Sequence, residues 1–201
     1  MHPAIFIGLG AALVLFALRS GERLSRGLVV GDSHSEASWT LGGQLKDKLQ
    51  DAGLTSRVVG NRGKGVPWYL SSGTLSSELK SFQPDLLVVA LGANDAGQYN
   101  ESGYKAALTE FVQTAKGNGV KQIIWLGPSK SEGSLSHKMP ARQQIAAWQQ
   151  QALPPLGVEW HDSMPMTLDL DTRDGVHYKQ SEYAIWAARA GEVIFDGVTI
   201  A

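Results

Sequence analysis

The chain has 201 residues, room for one domain with a short appendage and not for two full cores. Eighteen Lys and Arg against 19 Asp and Glu leave a formal charge of −1, which excludes a nucleic-acid binder working through a broad basic surface. Hydrophobic residues make up 43%, enough to bury a core, and the absence of cysteine excludes disulfides, thiolate metal sites and cysteine nucleophiles.

The N-terminus is a different material from the rest. Pro3 to Leu18 is a run of 16 residues without a charge, and Arg19, Arg23 and Arg26 follow with only Glu22 against them. The run is apolar all round, as expected of an N-terminal apolar helix that anchors the chain in a membrane, although about 20 residues span a bilayer more comfortably. A cleaved signal peptide, and with it export, is the second reading, weakened by Ala17-Leu18-Arg19-Ser20 as a cleavage site. A buried core helix is the third. Positive charge on the C-terminal flank favours an N-out, C-in orientation but leaves the side of the membrane open. We therefore expect an anchor segment with a basic flank over 1–26 and a globular domain over 27–201.

From Gly27 onward, strand and helix alternate. Leu28 to Val30 reads as a strand and Trp39 to Leu49 as a helix that stops at Asp51-Ala52-Gly53. Thr55 to Val59 is a second strand, Gly60 to Gly65 a loop, and Thr74 to Phe82 a helix ended by Pro84. Asp85 to Leu91 is apolar without alternation, as in a strand covered on both faces. A helix over Glu101 to Lys116, a strand over Lys121 to Leu126 and a helix over Pro140 to Ala152 follow. A weak fifth strand over Val158 to His161 precedes a last helix from Ser181 to Phe195. This alternation predicts a parallel sheet with helices on both faces and ligands beyond the carboxyl ends of the strands.

Three blocks sit at those ends. Gly31-Asp32-Ser33-His34-Ser35 follows the first strand. Ser33 there would start the next helix, where unpaired N–H groups favour an anion, as suits a nucleophile whose attack creates an oxyanion. Ser33-x-x-Glu36 is also a capping box, so Ser33 could simply start that helix. Gly92-Ala93-Asn94-Asp95 follows the third strand, and the Asn94 amide could donate to a developing negative oxygen or cap a turn. Asp174-Gly175-Val176-His177 precedes the last helix. A carboxylate three residues before a histidine can hold the tautomer that leaves Nε2 free as a base; the bland reading is an Asp-Gly turn beside a surface histidine.

Together the three blocks resemble the SGNH (GDSL-type) serine hydrolases, over about Gly27 to Ala201. Gly31-Asp32-Ser33 matches the first family block, with His34-Ser35 where Leu is common, and the Asn94 and His177 blocks match two others. The glycine block is tighter: Asn61-Arg62-Gly63-Lys64-Gly65 stands where Asn-x-Gly-x-x-Gly is usual. The resemblance implies a flavodoxin-like three-layer α/β/α fold, a five-stranded parallel sheet in the order 2-1-3-4-5, and ester hydrolysis without metal or cofactor. It implies Ser33 as nucleophile, His177 as base and Asp174 as its orienting partner. The oxyanion donors would be the Ser33 N–H, the Asn94 amide and the N–H of Gly65, with Gly63 as second choice. His2, His34, His137 and His161 lack metal-ligand spacing, and Asp95 reads as a brace for its loop.

The expected substrate is an ester, foremost an O-acetylated carbohydrate of polysaccharide or peptidoglycan, with Trp68 as a stacking platform beside Tyr69. A lipid or small-molecule esterase, an O-acetyl transferase and an anchored structural protein that keeps the fold are the alternatives.

Overall fold

The protein is described by a computed structural model over residues 24–196. Residues 3–18, the expected anchor, lie outside these described residues. Five parallel strands form one sheet in the order β2-β1-β3-β4-β5: β1 Arg26–Gly31, β2 Thr55–Gly60, β3 Leu86–Ala90, β4 Gln122–Leu126 and β5 Glu159–His161. Among the described residues, seven α-helices pack around it: α1 Leu41–Asp51, α2 Val66–Ser71, α3 Thr74–Phe82, α4 Glu101–Gly117, α5 Met139–Ala152, α6 Ser163–Thr167 and α7 Gln180–Asp196.

Side chains alternate across a strand, so a strand apolar on both faces requires two cores. Val29, Val88, Ile124 and Leu126 pack against Leu41, Leu45 and Leu49 of α1 and Trp186, Ala190 and Ile194 of α7. On the opposite face Leu28, Val30, Leu87, Val89 and Trp125 meet α2, α3, α4 and α5 through Val66, Leu79, Phe111 and Ile145. All five residues of β3 are buried, as its unbroken apolar run requires.

The register sets the position of the site. Gly31 pairs with both Gly60 and Ala90, Ala90 with Leu126, and Leu126 with His161. The carboxyl ends of all five strands therefore lie along one rim, and the loops leaving them converge there.

Three details differ from the expectation. Leu24 is 4% exposed and the backbone N–H groups of Ser25 and Arg26 both donate to the Asp85 carboxylate at 2.9 Å, so these residues of the expected basic flank pack with the body. Helix α2 follows directly on the Gly60 to Gly65 loop, in a stretch for which the sequence predicts no element; Pro67 sits in its first turn, where its missing N–H costs nothing, and Val66 and Tyr69 are buried. After Ser33 the chain makes a single 3₁₀ turn, Ser33–Ser35, and α1 begins only at Leu41. Ser33 is thus not the first residue of a long helix, and no macrodipole acts on it.

Candidate active site

The 3₁₀ turn after β1 is capped by Asp32, whose carboxylate accepts the His34 N–H at 2.9 Å. The capping box is absent, because Glu36 instead pairs with Arg62 at 2.8 Å. Ser33 is thereby left to a different partner. Its Oγ lies 2.9 Å from His177 Nε2, and His177 Nδ1 lies 2.8 Å from Asp174 Oδ2. Residues 144 positions apart in the chain form one continuous hydrogen-bonded line.

The loop carrying Asp174 and His177 is held from both ends. Asp174 Oδ1 accepts the N–H groups of Val176 at 3.2 Å and His177 at 2.8 Å, which closes the turn. Burial raises the Asp174 carboxyl, but these donors and the His177 ring outweigh it and hold the group down to about 2. Gly175 has φ +93°, and a Cβ there would stand 2.6 Å from the Glu132 carbonyl oxygen, so only glycine fits. Glu132 accepts from Lys130 at 2.7 Å and from the Thr172 backbone and hydroxyl at 2.8 and 2.6 Å. Those contacts, the Lys130 ammonium foremost, hold Glu132 down to about 2. Sequence patterning carries no signal for this Lys130–Glu132–Thr172 tie, which joins segments 40 residues apart.

Beneath His177 lies a buried aromatic nest of His34, Tyr178, Tyr183 and Trp186. The His34 ring stands 5.5 Å from that of His177, and its Nδ1 is 2.8 Å from the Tyr183 hydroxyl. Burial, then the charges of Arg142 and His177, push His34 down to about 3. It is a neutral packing residue rather than a second base.

Asn94 faces Ser33 across the rim, and both its amide hydrogens are engaged: Nδ2 donates to Asp32 Oδ2 at 2.8 Å and to the Lys64 carbonyl at 3.2 Å. In a planar trans peptide the C=O and the following N–H point in opposite directions. With the Lys64 carbonyl on Asn94, the Gly65 N–H faces away from that amide. Gly63, by contrast, lines the cavity beside Ser33 together with Asn94 and His177. Gly65 is buried behind it, pressed on Asp95, whose Oδ2 accepts the Val66 N–H at 3.2 Å and the Tyr104 hydroxyl at 3.3 Å. Burial pushes the Asp95 carboxyl up to about 6, with the Val66 and Tyr104 donors opposing. Asp95 does brace its loop, by a contact to the glycine block.

A Cβ on Gly65 would lie 1.8 Å from Asp95 Oδ1. The Gly65→Ala protein is expected to lose about 2–3 kcal/mol of stability, read as a lower thermal midpoint. Double replacement with Asp95→Ala should recover part of the loss. An unchanged midpoint in the single variant would contradict this packing.

Trp68 is corrected. It lies on α2, half-buried against the core, with Lys64 Nζ 5.3 Å from its ring centroid, and it does not line the cavity. Trp39 lies in a smaller cavity of about 110 Å³ shared with Ser33, Asp174 and His177. The main cavity measures about 470 Å³, and its wall is rich in polar and charged groups, including Arg62, Asn94, Gln98, Lys138 and Arg142. Among the described residues, no three His, Asp or Glu side chains are grouped to hold a metal ion.

Residues 29–185 match the sequence model of the GDSL-like Lipase/Acylhydrolase family. Among solved structures, the chain is similar to a catalytic mutant of Axe2, an acetylxylan esterase from Geobacillus stearothermophilus, with TM-score 0.67 and 21% identity over 87% of this chain and 96% of that one. It is also similar to TesA, with TM-score 0.70 and 19% identity over 87% and 100% of the two chains. A lipase/acylhydrolase from Enterococcus faecalis matches with TM-score 0.68 and 16% identity over 85% and 95%. At these identities the likeness is one of fold. A search among curated proteins finds no match.

Proposed function

Since the chain belongs to the GDSL-like lipase/acylhydrolase family and is an SGNH-type esterase, we propose that Ser33, His177 and Asp174 form its catalytic triad and that it removes O-acetyl groups from a carbohydrate. The observation that carries this reading is the line Ser33 Oγ–His177 Nε2 and His177 Nδ1–Asp174 Oδ2, at 2.9 and 2.8 Å, on the edge of a polar cavity of about 470 Å³.

Ser33 Oγ attacks the ester carbonyl while His177 Nε2 takes its proton and later returns it to the leaving alcohol. Asp174 fixes the tautomer with the proton on Nδ1 and stabilises the imidazolium that forms. Water then attacks the acyl–Ser33 ester with the same histidine as base, releasing the acid. The Ser33 N–H and the Asn94 amide hold the oxyanion. Asn94 is freed for this by giving up its longer bond, to the Lys64 carbonyl. The third donor is the Gly63 N–H, favoured over Gly65 by its place on the cavity wall. Each such donor is worth about 3–4 kcal/mol in the transition state.

An acetyl group suits this cavity because a long acyl chain would need an apolar lining to bury about 0.8 kcal/mol per methylene, and the wall offers charged groups instead. Similarity to an acetylxylan esterase points the same way. The test is acetate release from acetylated xylo-oligosaccharides together with p-nitrophenyl esters of rising chain length. Preference for the acetyl ester supports the reading; a kcat/KM that climbs with chain length overturns it in favour of a lipid esterase.

We also propose that Pro3 to Leu18 attaches the chain to a membrane. Among the described residues no helix is long and apolar enough to cross one. The full chain is expected in the membrane fraction, whereas a chain begun at Ser20, which keeps the buried Leu24, should be soluble and active. A full-length chain that stays in the supernatant contradicts the anchor.

A further inference from the structure

The wall of the main cavity carries two cations that make no ion pair among the described residues. Its wall contains Arg62, Lys138 and Arg142 and one carboxylate, Asp32. Arg62 is answered by Glu36 at 2.8 Å. Asp32 is 1% exposed and spends both oxygens inward, on the His34 N–H and the Asn94 amide. Burial pushes its carboxyl up to about 6, against the His34 N–H and the Arg142 charge. Lys138 is exposed, and neither it nor Arg142 has an ion pair among the described residues.

Arg142 is the unusual member. It projects from α5 and is 5% exposed. Its Nη1 is fixed by the carbonyls of Ser129 and Lys130 at 2.9 and 2.8 Å, while its Nε is buried with no hydrogen-bond partner. Burying a guanidinium is costly unless a negative group answers it, and here Asp32 acts on it through its charge alone, with both oxygens spent on His34 and Asn94. The overall charge is only −1, so this concentration of positive charge is local to the cavity. With Nη1 held by two carbonyls and Nε buried, Nη2 is the nitrogen left to meet a carboxylate beside Ser33.

Resting on the esterase reading above, we propose that Arg142, assisted by Lys138, selects acetyl esters of acidic glycans: a uronic-acid carboxylate lies against the Arg142 guanidinium while the acetyl carbonyl sits over Ser33. Arg142 is here a specificity residue and takes no part in bond making.

The test compares an acetylated methyl glucuronoside with the methyl glucoside acetylated at the same position. The wild-type kcat/KM should favour the acid by about tenfold or more, chiefly through KM, the effect of one charge-assisted contact. Raising salt from about 0.05 M to about 0.5 M should shrink that preference. Arg142→Gln, which keeps a donor for the Ser129 and Lys130 carbonyls, should bring the ratio near unity, and Lys138→Gln should lower it about threefold. If Arg142→Gln loses its cooperative melt, the Lys138→Gln ratio and the wild-type salt dependence decide.

Equal rates on the two esters, or a preference that neither salt nor Lys138→Gln moves, overturn the proposal and leave the esterase reading standing. Failure to cleave either ester, with Ser33 unlabelled by a fluorophosphonate, brings down both.

Discussion

Ser33→Ala is expected to lose at least about 10⁴-fold in kcat on any acetyl ester while its thermal midpoint stays within about 2 °C of the wild type. Among the described residues the hydroxyl has one partner, His177 Nε2, and the 3₁₀ turn it begins is capped by the Asp32 carboxylate. Removing Oγ therefore costs no cap, which would be worth about 1 kcal/mol, and opens no apolar void. The residual rate is that of water in a site that still binds substrate and polarises its carbonyl. Kinetics and a melt on the same preparation check both halves, and a fluorophosphonate should label the wild type and not the variant. Comparable turnover by the two proteins would remove Ser33 from the mechanism.

Asp174→Asn is the second large effect, about 10³–10⁴-fold in kcat with KM nearly unchanged. An asparagine can keep its carbonyl on the Val176 and His177 N–H groups that Asp174 Oδ1 now accepts. Its NH₂ then faces His177 Nδ1, and only a lone pair on Nδ1 can meet it. The proton moves to Nε2, the atom that must accept from Ser33. The pH dependence discriminates this from a general loss of charge. With its folded value held down to about 2, Asp174 is ionised throughout the range from about pH 5 to 8, so a deficit should be present across all of it. The linked stability has a defined sign: a depressed carboxyl stabilises the fold above its unfolded value near 3.8, and that contribution fades as pH falls through about 2. A variant that regains wild-type rate anywhere between about pH 5 and 8 would contradict the tautomer role.

Legibility of the site followed how local each feature is. The unbroken apolar run of β3 and the glycines ending β1 and β2 are written in consecutive residues, so the sheet, its covered faces and the rim were readable. Ser33, Asn94 and His177 were readable for the same reason, each lying within a few residues of a strand end or of the last helix. Helix α2 was not, because six residues opening on Val66-Pro67 carry too few turns to show a period; burial of Val66 and Tyr69 makes it a helix. Trp68 and Trp39 show the same limit. Both are tryptophans in or near loops, and only the packing of α2 on one face and the turn before α1 on the other decides which stands beside Ser33 and His177.

By itself the sequence determined the layers of this fold and the identity of the residues at its rim, since hydrophobic period and short blocks of polar residues act over a few positions. The tertiary structure alone decided how those residues are used. The capping role passed from Ser33 to Asp32 because His177, 144 residues away, reaches Ser33 Oγ, and Glu36 went to Arg62. Gly65 was turned onto Asp95, and Gly175 was locked beneath the Glu132 carbonyl. Arg142 was buried on the wall of the cavity that holds Ser33, without an ion pair among the described residues. Each of these is a contact between segments distant in the chain, fixed by the register of five parallel strands, and no pattern in neighbouring residues encodes it.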